Sequence, residues 1–255
     1  MAPWQLAIDF LRMIDERAAE QVIAYDFGRA LIHRRLNLVH DLNYLIADRV
    51  ADVTVHQLIA EAERIQGEAG LRHRRINLDD QHAAERLAGG FAAHGYQPER
   101  FLIMVHRRPL DPKPAGHRVE EVDWGLMRPA RRLEISRQPF ASLPGLVDQI
   151  LAKHELTARC VETRYFAALS DGKVASSCEL RTEGAIAQVE TVETLEEFRG
   201  RGLSRAVVSA AVEAASVQDF IFLVTDVEDW PQHFYGRLGF DGVGIESRFL
   251  RLIDY

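Results

Sequence analysis

The stretch AIAQVETVETLEEFRGRGLSRAVVSAAVEAA, residues 185–215, constrains the fold more than any other part of the chain. It opens on an extended run rich in β-branched residues, and it closes on a segment with Leu203, Val207, Ala210, Ala211 and Ala214 on one helical face. Between them Gly200 and Gly202 sit one residue apart among Arg199, Arg201 and Arg205. A strand that turns through two glycines into an amphipathic helix must lay that helix back on a sheet, so this half of the chain reads as α/β. Glycines at a helix start also free backbone N–H groups that the helix leaves without partners, and the helix dipole adds positive potential there. Such a corner is an anion site, with Arg199 and Arg201 able to close over a diphosphate.

The neighbouring pattern extends the sheet. TRYFAALS and KVASSCELR read as strands joined by the turn SDGK, and FIFLVT as a short buried strand. WPQHFYGRLGF reads as a short helix closed by Gly239, and SRFLRL as a final alternating strand. Upstream, VEEVDWGLM reads as a strand and LPGLVDQILAKHEL as a helix. The window RRPLDPKPAGHR, residues 107–118, has three prolines and a glycine and marks a boundary. It divides the chain into residues 1–108, a linker 109–117, and residues 118–255. For a chain of 255 residues, two domains fit the usual domain size.

The first half repeats the end of this order. TVHQLIAEAERIQGEAG is helical with Thr54 as cap, HRRINL is a strand, DQHAAERLAGGFAAHGY is helical, and RFLIMV is a strand. FAAHGY (Phe91 to Tyr96) and YGRLGF (Tyr235 to Phe240) correspond at a constant offset of 144, a sign of internal duplication.

Charge and composition exclude several classes. Residues 160–255 hold 16 acidic against nine basic residues and carry the whole net charge of −7, while residues 1–159 hold 22 of each. An acidic half argues against nucleic acid as the partner. No apolar run reaches the roughly 18–20 residues of a membrane span. The start MAPWQLAIDFLRMIDERAAE is amphipathic and acidic without a basic leader, so a cytoplasmic protein is expected. Cys160 and Cys178 fit neither a disulfide framework nor a zinc set, and no metal is expected. The P-loop, the G-x-G-x-x-G fingerprint, the G-x-S-x-G elbow and the H-E-x-x-H helix are all absent.

RGRGLS fits the R/Q-x-x-G-x-G/A signature of the GNAT N-acetyltransferases, with Arg199 first and Gly202 as the fixed glycine. TLEEFRGRGL resembles that family's strand end and loop, and FYGRLGF, about 30 residues later, resembles its lYerlGF segment. Residues 118–255 carry the resemblance. It implies two tandem GNAT-like (acyl-CoA N-acyltransferase) domains with mixed central sheets flanked by helices. It further implies acetyl-CoA as co-substrate. The amides of Arg199, Gly200, Arg201, Gly202, Leu203 and Ser204 would hold its pyrophosphate, and the strand Val192 to Thr194 would pair with its pantetheine arm. Ser204 departs from the signature, and its hydroxyl is small enough to donate to a phosphate oxygen.

Acyl transfer to an amine needs a neutral nucleophile, a stabilised oxyanion and a proton for the leaving thiolate. By resemblance Tyr235 supplies that proton. For the base, Glu190 and Glu193 lie in the strand before the loop; three residues apart, they face opposite sides of a regular strand. Asp226 is a further candidate, and His233 reads as a surface residue. The acceptor expected is a primary amine of a small molecule, drawn by the acidic surplus; a non-catalytic acyl-CoA sensor stays open as an alternative. In the first half Phe91 stands at the place of Tyr235, and IADRVADVTVHQ passes into its helix with no glycine. That half therefore reads as a degenerate copy. Either a monomer or a homodimer is compatible with the sequence.

Overall fold

The structure, a computed structural model, describes residues 1–109, 117–227 and 231–253. The expected linker 109–117 falls on 110–116 for most of its length, outside the described residues. Two compact units emerge. The first is built from Met1–Ile103 and the chain end from Gly244 onward, the second from Met104–Thr225 and the segment that ends at Val243. The expected segments 1–108 and 118–255 differ from these units in where the chain end is placed.

The first unit opens with helix α1 (Pro3–Ala18), whose Pro3 takes a first-turn position that needs no N–H. Strands β1 (Gln21–Tyr25), β2 (Gly28–Ile32) and β3 (Tyr44–Ala47) follow as an antiparallel set. Helix α2 (Val55–Glu68) crosses over to β4 (His73–Leu78), which runs parallel to β3. Helix α3 (Gln81–Ala93) and strand β5 (Gln97–His106) complete the first pass of the chain. Strand β11 (Phe240–Leu252) returns from the chain end and pairs antiparallel with β4, from Ser247 opposite Leu78 to Leu252 opposite His73. Its neighbours in the sheet are β4 and β5. The core between helices and sheet holds Leu45, Ile76, Leu58, Ile65, Phe91 and Phe249, all buried.

The second unit contains β6 (Val119–Val122), α4 (Trp124–Ser136), α5 (Leu146–Cys160), β7 (Glu162–Ser170) and β8 (Lys173–Glu183). It continues with β9 (Ile186–Thr194), α6 (Leu203–Ala214), β10 (Phe220–Asp226) and α7 (Pro231–Arg237). Its strands lie in the order β10-β9-β8-β7-β6, antiparallel from β6 to β9 and parallel between β9 and β10. Helix α6 packs on β8 and β9 and buries Ala206, Val207, Val208 and Ala211. The class is thus α/β, with mixed sheets flanked by helices.

Most expected elements are found, and α2 carries the complete capping box of Thr54 and Gln57. One is corrected. VEEVDWGLM is not one strand: β6 stops at Val122, and the Asp123 side chain accepts from the Leu126 amide at 2.9 Å to start α4. A carboxylate at the cap position outweighs the extended propensity of the run before it. No helix among the described residues is long and apolar enough to cross a membrane.

Candidate functional site

Strands β9 and β10 pair only from Ile186 opposite Phe220 to Gln188 opposite Phe222. Beyond Gln188, β9 runs on to Thr194 and β10 to Asp226, and among the described residues the two strands are not paired with each other there. The two parallel strands therefore part at their carboxyl ends, where open α/β sheets bind ligands.

In the freed part of β9 the ladder with β8 breaks register. Glu190 pairs with Glu179 and Glu193 with Ser177, so three steps along β9 answer two along β8. Thr191 has φ of +50°, a left-handed conformation that a β-branched residue adopts only under constraint. This bulge overturns the expectation that Glu190 and Glu193 face opposite sides. Their partners Glu179 and Ser177 are two apart and share a face of β8, and so do the two glutamates. The constraint comes from Arg131 of α4, itself only 2% exposed. Its guanidinium lies 2.9 Å from Glu193 and donates to the Thr191 carbonyl at 3.4 Å, gripping the bulge from both sides.

Arg131 also lies 3.8 Å from buried Glu179, which meets Arg181 at 2.7 Å and His154 at 2.8 Å. Burial alone pushes Glu179 up, but Arg181, His154 and Arg131 together hold it ionised, well below the usual carboxylate range. Glu193 behaves oppositely. Burial, a hydrogen bond to the Glu134 carboxyl and the Glu179 charge outweigh Arg131 and push Glu193 up to about 8.

The loop after β9 forms a short 3-10 turn (Glu196–Phe198) and enters α6 through Gly200 at φ +76° and Gly202 at φ +78°. Gly202 is the N-cap residue, and no side chain caps the helix. The first-turn N–H groups thus end the helix without an internal acceptor. Arg199 donates from Nε to the Thr194 carbonyl at 3.3 Å. Arg201 turns elsewhere, donating to the Glu197 carbonyl at 3.0 Å with its guanidinium over the Phe198 ring.

A cleft of about 530 Å³ gathers these parts. From β9 it is lined by Val192, Glu193 and Thr194, and from the loop and helix start by Arg199, Gly200, Gly202, Leu203 and Ser204. Phe198 of the 3-10 turn, Glu134 of α4 and the pair Phe234 and Tyr235 of α7 complete the lining. Tyr235 meets Phe240 edge-on at 6.2 Å, and burial, with Glu190 and Cys178 nearby, pushes its phenol up. Of the anticipated residues, Arg201 and Glu190 are not in this lining; Glu190 accepts from Gln188 Nε2 at 2.6 Å. Asp226 ends β10, and His233 sits in α7. Sequence reasoning missed Arg131 and Glu134. Both ride on α4, and their signal was Asp123 as a cap followed by apolar Met127 and buried Ile135 at helical spacing. Among the described residues, no group of three or more His, Cys, Asp or Glu could hold a metal ion.

Residues 127–240 match the model of the Acetyltransferase (GNAT) family. Comparison with curated proteins finds no match. Among solved structures, the chain is similar to a GCN5-related N-acetyltransferase from Kribbella flavida, with TM-score 0.66, 15% identity, and 98% of this chain and 96% of that one covered. It is also similar to a functionally unknown conserved protein from Staphylococcus epidermidis ATCC 12228, with TM-score 0.67, 14% identity, and 92% and 94% covered. A third is described as a tandem GNAT protein from the clavulanic acid biosynthesis pathway, with TM-score 0.54, 12% identity, and 100% and 98% covered. At these identities the likeness is one of fold.

Proposed function

Because residues 127–240 match the model of the Acetyltransferase (GNAT) family, we propose that this chain is an acyltransferase that moves an acetyl group from acetyl-CoA directly to a primary amine of a small molecule. The observation that carries this reading is the single cleft that holds an uncapped helix start, a carboxyl of raised proton affinity and a tyrosine together.

In this mechanism the amides of the loop from Arg199 to Ser204 hold the pyrophosphate, with Arg199 beside them. The Arg201 side chain, held by the Glu197 carbonyl and the Phe198 ring, adds to the potential of the corner without touching the phosphates. The backbone of Val192 to Thr194 pairs with the pantetheine arm, and the Val192 amide donates to the thioester carbonyl as it becomes an oxyanion. An alkylamine of pKa about 10.4 is neutral about once in 2500 molecules at pH 7, a deficit of roughly 4.6 kcal/mol. Glu193 removes that proton. With its own affinity near neutral, it can accept a proton from an ammonium and release it to water. The amine nitrogen then bonds to the acyl carbon, the carbon–sulfur bond breaks, and Tyr235 returns a proton to the leaving thiolate. A phenol pushed up by burial stays protonated at neutral pH, as this role requires. Glu190 is the reserve candidate for the base.

Residues 118–255 form the acetyltransferase copy, and residues 1–108 a degenerate tandem copy of the same fold. Each unit supports this with a run of antiparallel strands, three in the first and four in the second, followed by a helix, a parallel strand and a helix. The protein works in the cytoplasm as a monomer or homodimer, with no metal and no nucleic acid. Calorimetric titration with acetyl-CoA tests the donor, followed by a free-thiol release screen over polyamines, aminoglycosides, amino acids and arylamines. Saturable heat with acetyl-CoA and thiol release with an aliphatic amine are expected; absence of acetyl-CoA binding would end the proposal.

A further inference from the structure

Ser204 stands where the family signature has Gly or Ala, and by size alone its hydroxyl could donate to a phosphate oxygen. In the structure that hydroxyl is occupied. Ser204 Oγ lies 2.7 Å from Thr194 Oγ1, Thr194 Oγ1 lies 2.8 Å from Ser176 Oγ, and Ser176 Oγ lies 2.7 Å from the backbone carbonyl oxygen of Glu193.

The direction of this chain follows from counting protons. A carbonyl oxygen only accepts, and each hydroxyl has one proton to give. Ser176 therefore donates to the Glu193 carbonyl, Thr194 donates to Ser176, and Ser204 donates to Thr194. The run goes one way, from the first turn of α6, across the end of β9, to β8 and back to the backbone of Glu193. A second tie lies beside it, where the Cys178 thiol of β8 meets the Val207 carbonyl of α6 at 3.4 Å. With its proton committed, Ser204 presents only lone pairs elsewhere, and lone pairs do not attract a phosphate oxygen.

We propose that Ser204 is a positioning residue that does not donate to the phosphates: through Thr194 and Ser176 it fixes the start of α6 to the end of β9. It thereby sets the spacing between the pyrophosphate cradle and the strand that pairs with the pantetheine arm. This rests on the acetyl-CoA reading above. It also explains how a serine is tolerated at this place. The hydroxyl replaces the close approach of a Gly or Ala with a hydrogen bond to a threonine that the strand supplies.

Ser204→Ala restores a residue that the signature allows and suits a helix, so the variant is expected to fold. Calorimetry then compares acetyl-CoA with 3′-phospho-ADP, its nucleotide half, as probes. A positioning role predicts about fivefold weaker acetyl-CoA binding in Ser204→Ala, the size of one lost hydrogen bond, with 3′-phospho-ADP affinity unchanged. Thr194→Val should show the same split, and the double variant should be no weaker than either single one. Equal losses on both probes, or additive losses, would overturn the proposal in favour of direct donation to phosphate. If the unsubstituted protein binds no acetyl-CoA, the functional reading fails by itself. The tie is then decided by amide hydrogen exchange without ligand. Faster exchange across residues 203–206 in both variants upholds it, and unchanged exchange overturns it.

Discussion

Each unit passes from a strand, through a helix, to a parallel strand, and the two passages differ wherever a ligand could enter. In the first, β3 and β4 stay paired to their last residues, Ala47 opposite Leu78, and the ladder of β3 with β2 keeps its register. The start of α2 is sealed by the chain itself. The Thr54 side chain accepts from Gln57, whose own side chain accepts from the Thr54 amide at 2.9 Å, while Arg86 donates to the carbonyls of Val50 and Val53. In the second, the strands part, β9 bulges at Thr191, and α6 begins with an uncapped glycine. Phe91 and Tyr235 follow suit: the first is fully buried and stacked on Phe249 at 4.2 Å, whereas the second lines a cleft. The first passage satisfies its polar backbone internally, and the second leaves it open to a cleft.

Gly202 holds in the second passage the N-cap position that Thr54 holds in the first. Gly202→Asp puts a carboxylate at the start of α6, at a φ of +78° that a side chain adopts only with strain. Acetyl-CoA affinity should fall about a thousandfold through like-charge repulsion and the strain at residue 202, read by calorimetry, while the helix content by circular dichroism stays unchanged. Tyr235→Phe gives the second unit the side chain found at residue 91. Thiol release should drop by about a hundredfold at saturating acetyl-CoA with binding intact; an unchanged rate would remove Tyr235 from the mechanism.

Glu193→Gln tests the carboxyl. In the native protein the rate should rise as pH passes through about 8, because only the ionised form accepts a proton. The variant should lose that rise and about tenfold of the rate at pH 9, Glu134 being close enough to share the work. Stability carries a matching signature. The folded carboxyl keeps its proton to about 8 and the unfolded one to 4.5, so native Glu193 binds more protons between those values. Stability therefore falls as pH rises through this window, and the glutamine variant should fall less on denaturant titrations at paired pH values.

The smallest effect belongs to the first unit. Thr54→Ala should cost about 1 kcal/mol in chemical denaturation. Combined with Gly202→Asp it should restore no acetyl-CoA binding, since uncapping α2 does not part β3 from β4.

Much of this was written locally in the chain. The glycine corner, the cap at Thr54 and the helix ending at Gly239 depend on residues within a few positions of each other, and each lies where the pattern placed it. What escaped depends on partners distant in sequence. Alternation along VETVET cannot show a bulge, because the extra residue is defined by β8 and held by Arg131 some 60 residues upstream. Arg131 and Glu134 were hidden because the apolar letters WGLM, read as extended, obscured the cap at Asp123. The destination of the last strand was equally silent, since its alternation specifies a half-buried strand without naming neighbours.

That last strand has a consequence for the order in which the molecule is made. In the first unit's sheet the stretch of β11 from Gly244 stands between β4 and β5. A ribosome delivers residues 73–106 long before it delivers residue 244. During all that synthesis β4 and β5 lack the strand that belongs between them, with Phe91 waiting for Phe249. The half of the protein that is born first is the last to be finished.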